Sequence, residues 1–302
     1  MSLLAVGSVA LDTIEIPSGR YEDILGGSCT FFSLAASHFA KVRIVAVVGT
    51  DFPEEHVDLL RSRGIDTAGL ERAEGRTFRW SGRYSATLAE RWTLDTQLGV
   101  FAGFQPKLPA AWKKPKILFL GNIEPSLQRA VLEEVDRPEL VAMDTMNFWI
   151  EGQNASLKKT LARVDLLVIN EEEIRQLSGE HNVVRAAASV RQMGPSKVVV
   201  KRGEYGAILF AEDHAFAVTA YPLSDVVDPT GAGDSFAGGM CGSLARAERL
   251  DAAAFRRAMV MGTVLGSFSV EGHGVERLRT LTTEEVEGRY HAYGRLTHVE
   301  GI

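Results

Sequence analysis

The chain has 302 residues, 45% of them hydrophobic and 24% charged, with 33 basic against 39 acidic side chains and a net charge of −6. These proportions exclude a largely disordered, collagen-like or coiled-coil protein. The acidic balance argues against nucleic acid and anionic membranes as main partners. Two cysteines, Cys29 and Cys241, form no disulfide framework. They read as buried free thiols, as a reducing cytoplasm would keep them. Met1 to Asp12 lacks a basic n-region, and no apolar stretch reaches the ~18–20 residues that span a bilayer. The expectation is a cytoplasmic globular protein.

Short β-branched runs alternate with helical patterns. The first strand is predicted at Leu3–Val6, followed by a helix at Ser28–Ala40, a strand at Arg43–Val48 and a helix at Glu54–Arg63. From Arg76 to Val100 the pattern changes to strict alternation. Phe78, Trp80, Gly82 and Tyr84 share one strand face; Trp92, Leu94, Thr96, Leu98 and Val100 share a face of a second strand. Alternation marks a half-exposed antiparallel sheet. Its aromatic residues would be a liability on a free edge, so it is expected to cover a ligand or a second subunit. The α/β alternation then resumes. Strands are predicted at Ile117–Leu120, Leu140–Met143, Leu166–Ile169 and Lys197–Val200. Helices are predicted at Leu127–Val135, Leu157–Val164, Glu171–Leu177 and Val183–Met193. Continuous apolar strands separated by helices predict a doubly wound, mostly parallel sheet. Two antiparallel strands (Ala207–Phe210, Ala215–Ala220) and helices at Ala232–Ala247 and Ala252–Phe268 follow. A last helix starts at Thr282, where Thr282 and Glu285 have capping-box spacing.

The strongest chemical signal is Asp228-Pro229-Thr230-Gly231-Ala232-Gly233-Asp234 at the start of a helix. Glycines at a helix N-terminus let successive N–H groups converge on an anion and let a phosphate approach closely. Asp234, in the first turn, could take a proton from a hydroxyl attacking phosphorus. The plainer reading is an acidic residue favoured by the helix dipole. Five fixed positions make a chance match on the order of 10⁻⁴ for such a chain, which favours the functional reading. No P-loop occurs, and the third position of a dinucleotide fingerprint is Phe236 rather than glycine. Gly26-Gly27 precedes the first helix, and Asp12 follows the first strand, where α/β ligands bind. Asn170 and Glu173 are three apart at a helix start; they suit a hydrated magnesium ion, but a helix cap with acidic first-turn residues explains much of the run and, taken alone, is the better reading. Lys201-Arg202-Gly203-Glu204-Tyr205-Gly206 is a tight turn after a buried strand.

In these motifs and their order the chain resembles the ribokinase-like (PfkB-type) carbohydrate kinases over nearly its full length. Gly26-Gly27 is similar to the family's N-terminal signature, Asp228 to Asp234 to its C-terminal signature, and Asn170 to Glu173 to its N-x-x-E motif. The resemblance implies a three-layer α/β fold with a small β-sheet lid, from segments near 13–22 and 76–100. It implies Asp234 as catalytic base and the N–H groups of Gly231, Ala232 and Gly233 as anion hole. Asn170 and Glu173 would organise Mg²⁺. Arg202, Gly203, Gly206 and Thr230 would line the ATP side. Asp12, Gly26 and Gly27 would hold the substrate. Asp228 would contribute to a monovalent-cation (K⁺) site, and the lid offers a surface for a homodimer. Sugar-specific relatives often carry asparagine four residues after the second glycine; here that residue is Phe31. Phe31 could pack against a substrate ring, which leaves a nucleoside or cyclitol open, or it could be core. The expected activity is Mg·ATP-dependent phosphorylation of a hydroxyl on a small sugar, nucleoside or polyol. The alternative is a non-catalytic ligand sensor on the same fold.

Overall fold

The computed structural model describes residues 2–298. Its strands are β1 (Ser2–Val6), β2 (Ala10–Ile16), β3 (Gly19–Gly26), β4 (Lys41–Gly49), β5 (Asp66–Ala73), β6 (Arg79–Tyr84), β7 (Arg91–Gln97), β8 (Ile117–Leu120), β9 (Leu140–Asp144), β10 (Leu166–Asn170), β11 (Lys197–Lys201), β12 (Ala207–Phe210) and β13 (Ala215–Val218). The helices are α1 (Ser28–Ala36), α2 (Glu54–Ser62), α3 (Pro125–Glu134), α4 (Asn147–Gly152), α5 (Asn154–Leu161), α6 (Glu171–Ser178), α7 (Val183–Arg191), α8 (Ala232–Arg246), α9 (Ala252–Ser269), α10 (Glu276–Thr280) and α11 (Thr283–Thr297).

Nine strands form the central sheet in the order β13-β12-β11-β10-β9-β8-β1-β4-β5. All neighbours are parallel except β11–β12 and β12–β13. Alternate strand residues feed two cores. Leu3 and Ala5 of β1 pack with α1, α2 and α8–α11, whereas Leu4 and Val6 pack with α3–α7. Burial on both faces explains the continuous apolar runs and gives the expected three layers. The order reverses between β1 and β8, the position where open α/β sheets hold ligands beyond the strand ends.

The small sheet has four strands in the order β3-β2-β6-β7. The alternating hairpin is present as β6 and β7, and it adds in parallel to β2. Two of these four strands, β2 and β3, fall on the lid segment near 13–22 that the resemblance implies, although the residue pattern itself predicts no strand there. Nor does it predict β5, whose Gly, Asp, Glu and Arg residues suit the sheet edge it occupies. The first helix stops at Ala36, short of the expected Ala40. The capping box at Thr282 is formed: its side chain accepts from Glu285 N–H, and Glu285 accepts from Thr282 N–H.

A register shift between Ser81 and Gly82 corrects the expected faces of the hairpin. Trp80 opposes Thr96, but Gly82 opposes Thr93, and Tyr84 opposes Arg91. The bulge leaves Leu94 unpaired and reverses alternation beyond it. Arg91 therefore joins the Trp80–Tyr84 face, whereas Trp92 joins the face of Arg83.

Helix α8 carries Gly238, Gly239 and Gly242, each unfavourable for a helix by ~1 kcal/mol relative to alanine. They are packing sites. A methyl group on Gly238 would strike the Phe32 carbonyl of α1; one on Gly239 would meet Met261 and Leu265 of α9. Gly288 on α11 has open space around it. Gly238→Ala is expected to lose about 1–2 kcal/mol of stability net, because overpacking against backbone outweighs the gain in propensity. Gly288→Ala should gain about 0.5–1 kcal/mol. Urea unfolding of the two variants checks the opposite signs.

Candidate active site

The sequence-predicted site residues lie at the carboxyl ends of β10 and β11, at the N-termini of α1 and α8 and on the small sheet, where Asp12 is a residue of β2 rather than of the loop just past the first strand. The two helix starts differ in what their amides do. At α1, Gly27 takes φ +93° as N-cap. Its next two N–H groups are spent within the protein: Ser28 donates to Ser8 Oγ at 3.1 Å and Cys29 to the Ser8 carbonyl at 2.9 Å. At α8, Gly231 caps with φ +74°. Ser235 N–H donates to Gly231 and Ala232 N–H to Pro229 at a long 3.3 Å, whereas Gly231 and Gly233 N–H have no acceptor among the described residues. Free amides at the positive end of a 15-residue helix are suited to an anion. Position 231 must be glycine twice over, for its φ and because the Phe31 ring lies where a Cβ would be. Phe31 is 1% exposed. Its ring supports the loop from beneath.

Asp228 holds this loop in place. One oxygen accepts from Thr230 N–H and the other from Gly274 N–H, each at 2.9 Å, and the residue is buried. The small sheet reaches the same loop. Tyr84 and Thr230 hydroxyls hydrogen-bond at 2.9 Å, and Tyr21 stacks on His273 with ring centres 3.8 Å apart.

Three carboxylates are crowded enough to resist ionisation. Burial pushes Asp234 up from the ordinary carboxylate value, with Asp144 adding to the effect and Lys201 and Arg91 opposing it. Glu173 is pushed up by burial and by Asp144, against Lys201 and Arg91. Asp12 is pushed up to about 7 by burial, then by Asp228; the Gly27 N–H opposes this and Asp234 adds to it. Asp12 lies against the Gly26 Cα, where no side chain would fit.

Asn170 and Glu173 form a reciprocal cap. Asn170 Oδ1 accepts from Glu173 N–H at 2.8 Å, and Glu173 Oε2 accepts from Asn170 N–H at 3.1 Å. Glu173 Oε1 has no hydrogen-bond partner among the described residues; the residue is 8% exposed and lies in the fields of Asp144 and Lys201. Among the described residues no three His, Cys, Asp or Glu side chains are grouped to cage a metal. Oxygen donors beside an available carboxylate fit magnesium, which keeps much of its water shell. The Arg202–Gly206 turn stands at the end of β11. Arg202 donates to Glu171 at 2.8 Å, Gly203 opens a 3₁₀ turn, and Gly206 passes under the Val218 carbonyl.

Sequence reasoning passed over Asp144 and Lys201 as a pair. Lys201 Nζ donates to Asp144 Oδ2 at 3.3 Å, and both side chains are mostly buried. Both sit at strand ends, 57 residues apart, so spacing could not join them. Arg91 was hidden by the bulge. Arg79 pairs with Asp51 and Asp23, and Arg83 with Glu15, while no carboxylate among the described residues pairs with Arg91. It lies over the Trp80 ring, and its field reaches Asp234. At the opposite end of the sheet a 990 Å³ hollow is lined by charged residues, among which Lys114 pairs with Asp136 and Lys116 with Glu139.

The family model described as pfkB family carbohydrate kinase matches residues 22–280. The chain belongs to the pfkB carbohydrate kinase family. It is a small-molecule kinase of the sugar and nucleoside kinase group. It is 28% identical over 258 residues to the cytidine kinase of Thermococcus kodakarensis, covering 83% of this chain and 91% of that one. It is 26% identical over 299 residues to the nucleoside kinase of Methanothermobacter thermautotrophicus, covering 91% of both. The aminoimidazole riboside kinase of Salmonella enterica, solved with its riboside and an ATP analogue, has the same fold: TM-score 0.74 at 18% identity, over 96% of this chain and 100% of that one. No helix among the described residues is long and apolar enough to cross a membrane.

Asp12→Asn removes a buried charge, and the sign of its effect follows from linkage. A carboxyl raised to about 7 in the fold costs stability once ionised, so its penalty is absent below the unfolded value and grows as pH rises through the folded one. The variant is expected to be stabilised relative to the parent more at pH 8.5 than at pH 5.5. Paired thermal melts of the two ligand-free proteins at each pH check this.

Proposed function

We propose that the protein transfers the γ-phosphoryl group of ATP to a hydroxymethyl group of a nucleoside. The observation that carries the reading is the pairing of unspent Gly231 and Gly233 amides with a half-buried carboxylate, Asp234, one residue further on. A phosphate lying on the amides places its phosphorus beside that carboxylate, where a hydroxyl proton can be accepted as the P–O bond forms. Burial raises Asp234 toward neutrality, so it is a stronger base than an ordinary aspartate when ionised. Loss of the ionised form on acidification is expected to lower the rate at a pH above the usual carboxylate range.

Each remaining residue has a place in this reading. Asp12, against Gly26 and Gly27, accepts hydrogen bonds from substrate hydroxyls. Arg202, Gly203, Gly206 and Thr230 lie on the nucleotide side. Asn170 and Glu173 would hold Mg²⁺ through water, and the ion would neutralise charge on the phosphates. Asp228, already bonded to two amides, orders the loop that would bind K⁺. The small sheet acts as a lid, excluding water so that the substrate hydroxyl attacks instead. Support for a nucleoside comes from the cytidine kinase and the nucleoside kinase, each matched over 91% of its length.

An ADP-release screen with Mg·ATP against nucleosides, pentoses, hexoses and inositols tests the activity. ADP formation dependent on a nucleoside is expected; no ADP with any acceptor would leave a ligand sensor instead. Asp234→Asn should keep the thermal midpoint near the parent's and lower kcat ~10³-fold. Near-parental turnover would remove Asp234 from the role of base.

The lid also supports a dimer. Edge strand β7 is exposed throughout, and Trp92 and Leu94 are 49% and 45% exposed. A second copy packed on this edge would cover them. Trp92→Glu is expected to shift the protein from dimer to monomer in sedimentation velocity; a monomeric parent would refute this arrangement.

A further inference from the structure

Lys201 is the last residue of β11, directly beside Asn170 in the parallel register. Its side chain is 17% exposed, and Asp144 is its one hydrogen-bond partner among the described residues. An ammonium has three N–H donors, so two are unspent. The group lies under the start of α8: a methyl on Gly233 would come within 2.8 Å of Nζ. A cation at the positive end of a helix is unfavourable. It is held there by Asp144, Glu173 and Asp234, whose fields all reach it. Two free donors, a free Gly233 amide and a helix dipole are thus neighbours. The fields of the proposed base and of the proposed metal residue Glu173 both reach the ammonium.

We propose that Lys201 is a catalytic residue whose ammonium donates to a non-bridging oxygen of the transferring phosphoryl group, with Asp144 as the positioning residue that aims it. The inference rests on the kinase reading above. The acceptor hydroxyl gives its proton to Asp234 as its oxygen bonds to phosphorus. The bond from phosphorus to the β-phosphate oxygen breaks, and ADP leaves with that electron pair. Lys201 keeps its protons and offsets charge on the equatorial oxygens. The rival role is purely structural: Lys201 would only neutralise Asp144 and Glu173.

The full-length protein, Lys201→Met, Asp144→Asn and the Lys201→Met/Asp144→Asn double variant separate the two. In the double variant neither the lysine nor the Asp144 charge remains, so a structural role is relieved. Turnover is measured with Mg·ATP and the best acceptor from the screen. Calorimetric titration with ADP, alone and with aluminium fluoride, gives a binding readout. Lys201→Met and the double variant are both expected to lose ~10²–10³-fold in kcat, with acceptor KM within ~3-fold. Both should bind ADP normally and lose the extra affinity that aluminium fluoride confers. Recovery of the double variant to the rate of Asp144→Asn, or retention of tight aluminium-fluoride binding by Lys201→Met, would overturn the proposal. If the parent itself forms no ADP with any acceptor, the kinase reading fails and this inference falls with it. A parent that turns over alongside an equally fast Lys201→Met removes the inference alone.

Discussion

The site depends on how closely α1 and α8 approach. Gly238 and Gly242 of α8 lie against the Phe32 carbonyl and against Ala36 and Phe39, and at the top of the contact the Phe31 ring sits on Gly231. Side chains at those glycines would wedge the helices apart. The approach sets the height of the 231–234 loop above the sheet, and so where its free amides point. Small residues lower the intrinsic stability of α8. Packing against both α1 and α9 offsets this, and the strain-tolerant glycine cap at 231 becomes possible only because the ring beneath it is fixed.

Charge imposes a second constraint. Asp12, Asp144, Glu173, Asp228 and Asp234 converge on a region with one buried lysine. Asp228 is satisfied by two amides and Asp144 by Lys201. Asp12, Glu173 and Asp234 are left above their ordinary ionisation range. Carboxyls that resist ionisation repel an anion less than full carboxylates would, and they suit proton acceptance near neutrality. The acidic net charge is therefore no obstacle to binding a nucleotide. Local amides, a helix end and one lysine supply the positive potential that the whole surface lacks. The Tyr84–Thr230 hydrogen bond carries the small sheet into this loop, so movement of that sheet is coupled to the anion site.

Much of this was legible in the chain. The central sheet was readable because strands buried on both faces must be continuously apolar, as in Leu166–Ile169. The Asp228–Asp234 motif was readable because a tight left-handed helix cap demands glycine at a fixed position. β2, β3 and β5 were not readable. They are edge or small-sheet strands whose exposed faces carry Asp, Glu, Arg and Gly, so composition does not distinguish them from loops. The side of the hairpin that bears Arg91 was hidden because a bulge is one extra residue with no residue-type signature of its own.

The amino-acid sequence by itself determined the fold class, through the apolar runs of its strands, and also the glycine cap of α8, the place of Asp234 in the first turn of that helix, and the cap formed by Asn170 and Glu173. The last three are set by contacts within a few residues along the chain, so spacing suffices to find them. Tertiary structure alone decided that Phe31 lies beneath Gly231, that Asp12 shares a buried field with Asp228 and Asp234, and that Lys201 meets Asp144 under Gly233. Those partners come from different strands and helices. Only the parallel register of the sheet and the crossing of α1 with α8 bring their side chains within a few ångströms.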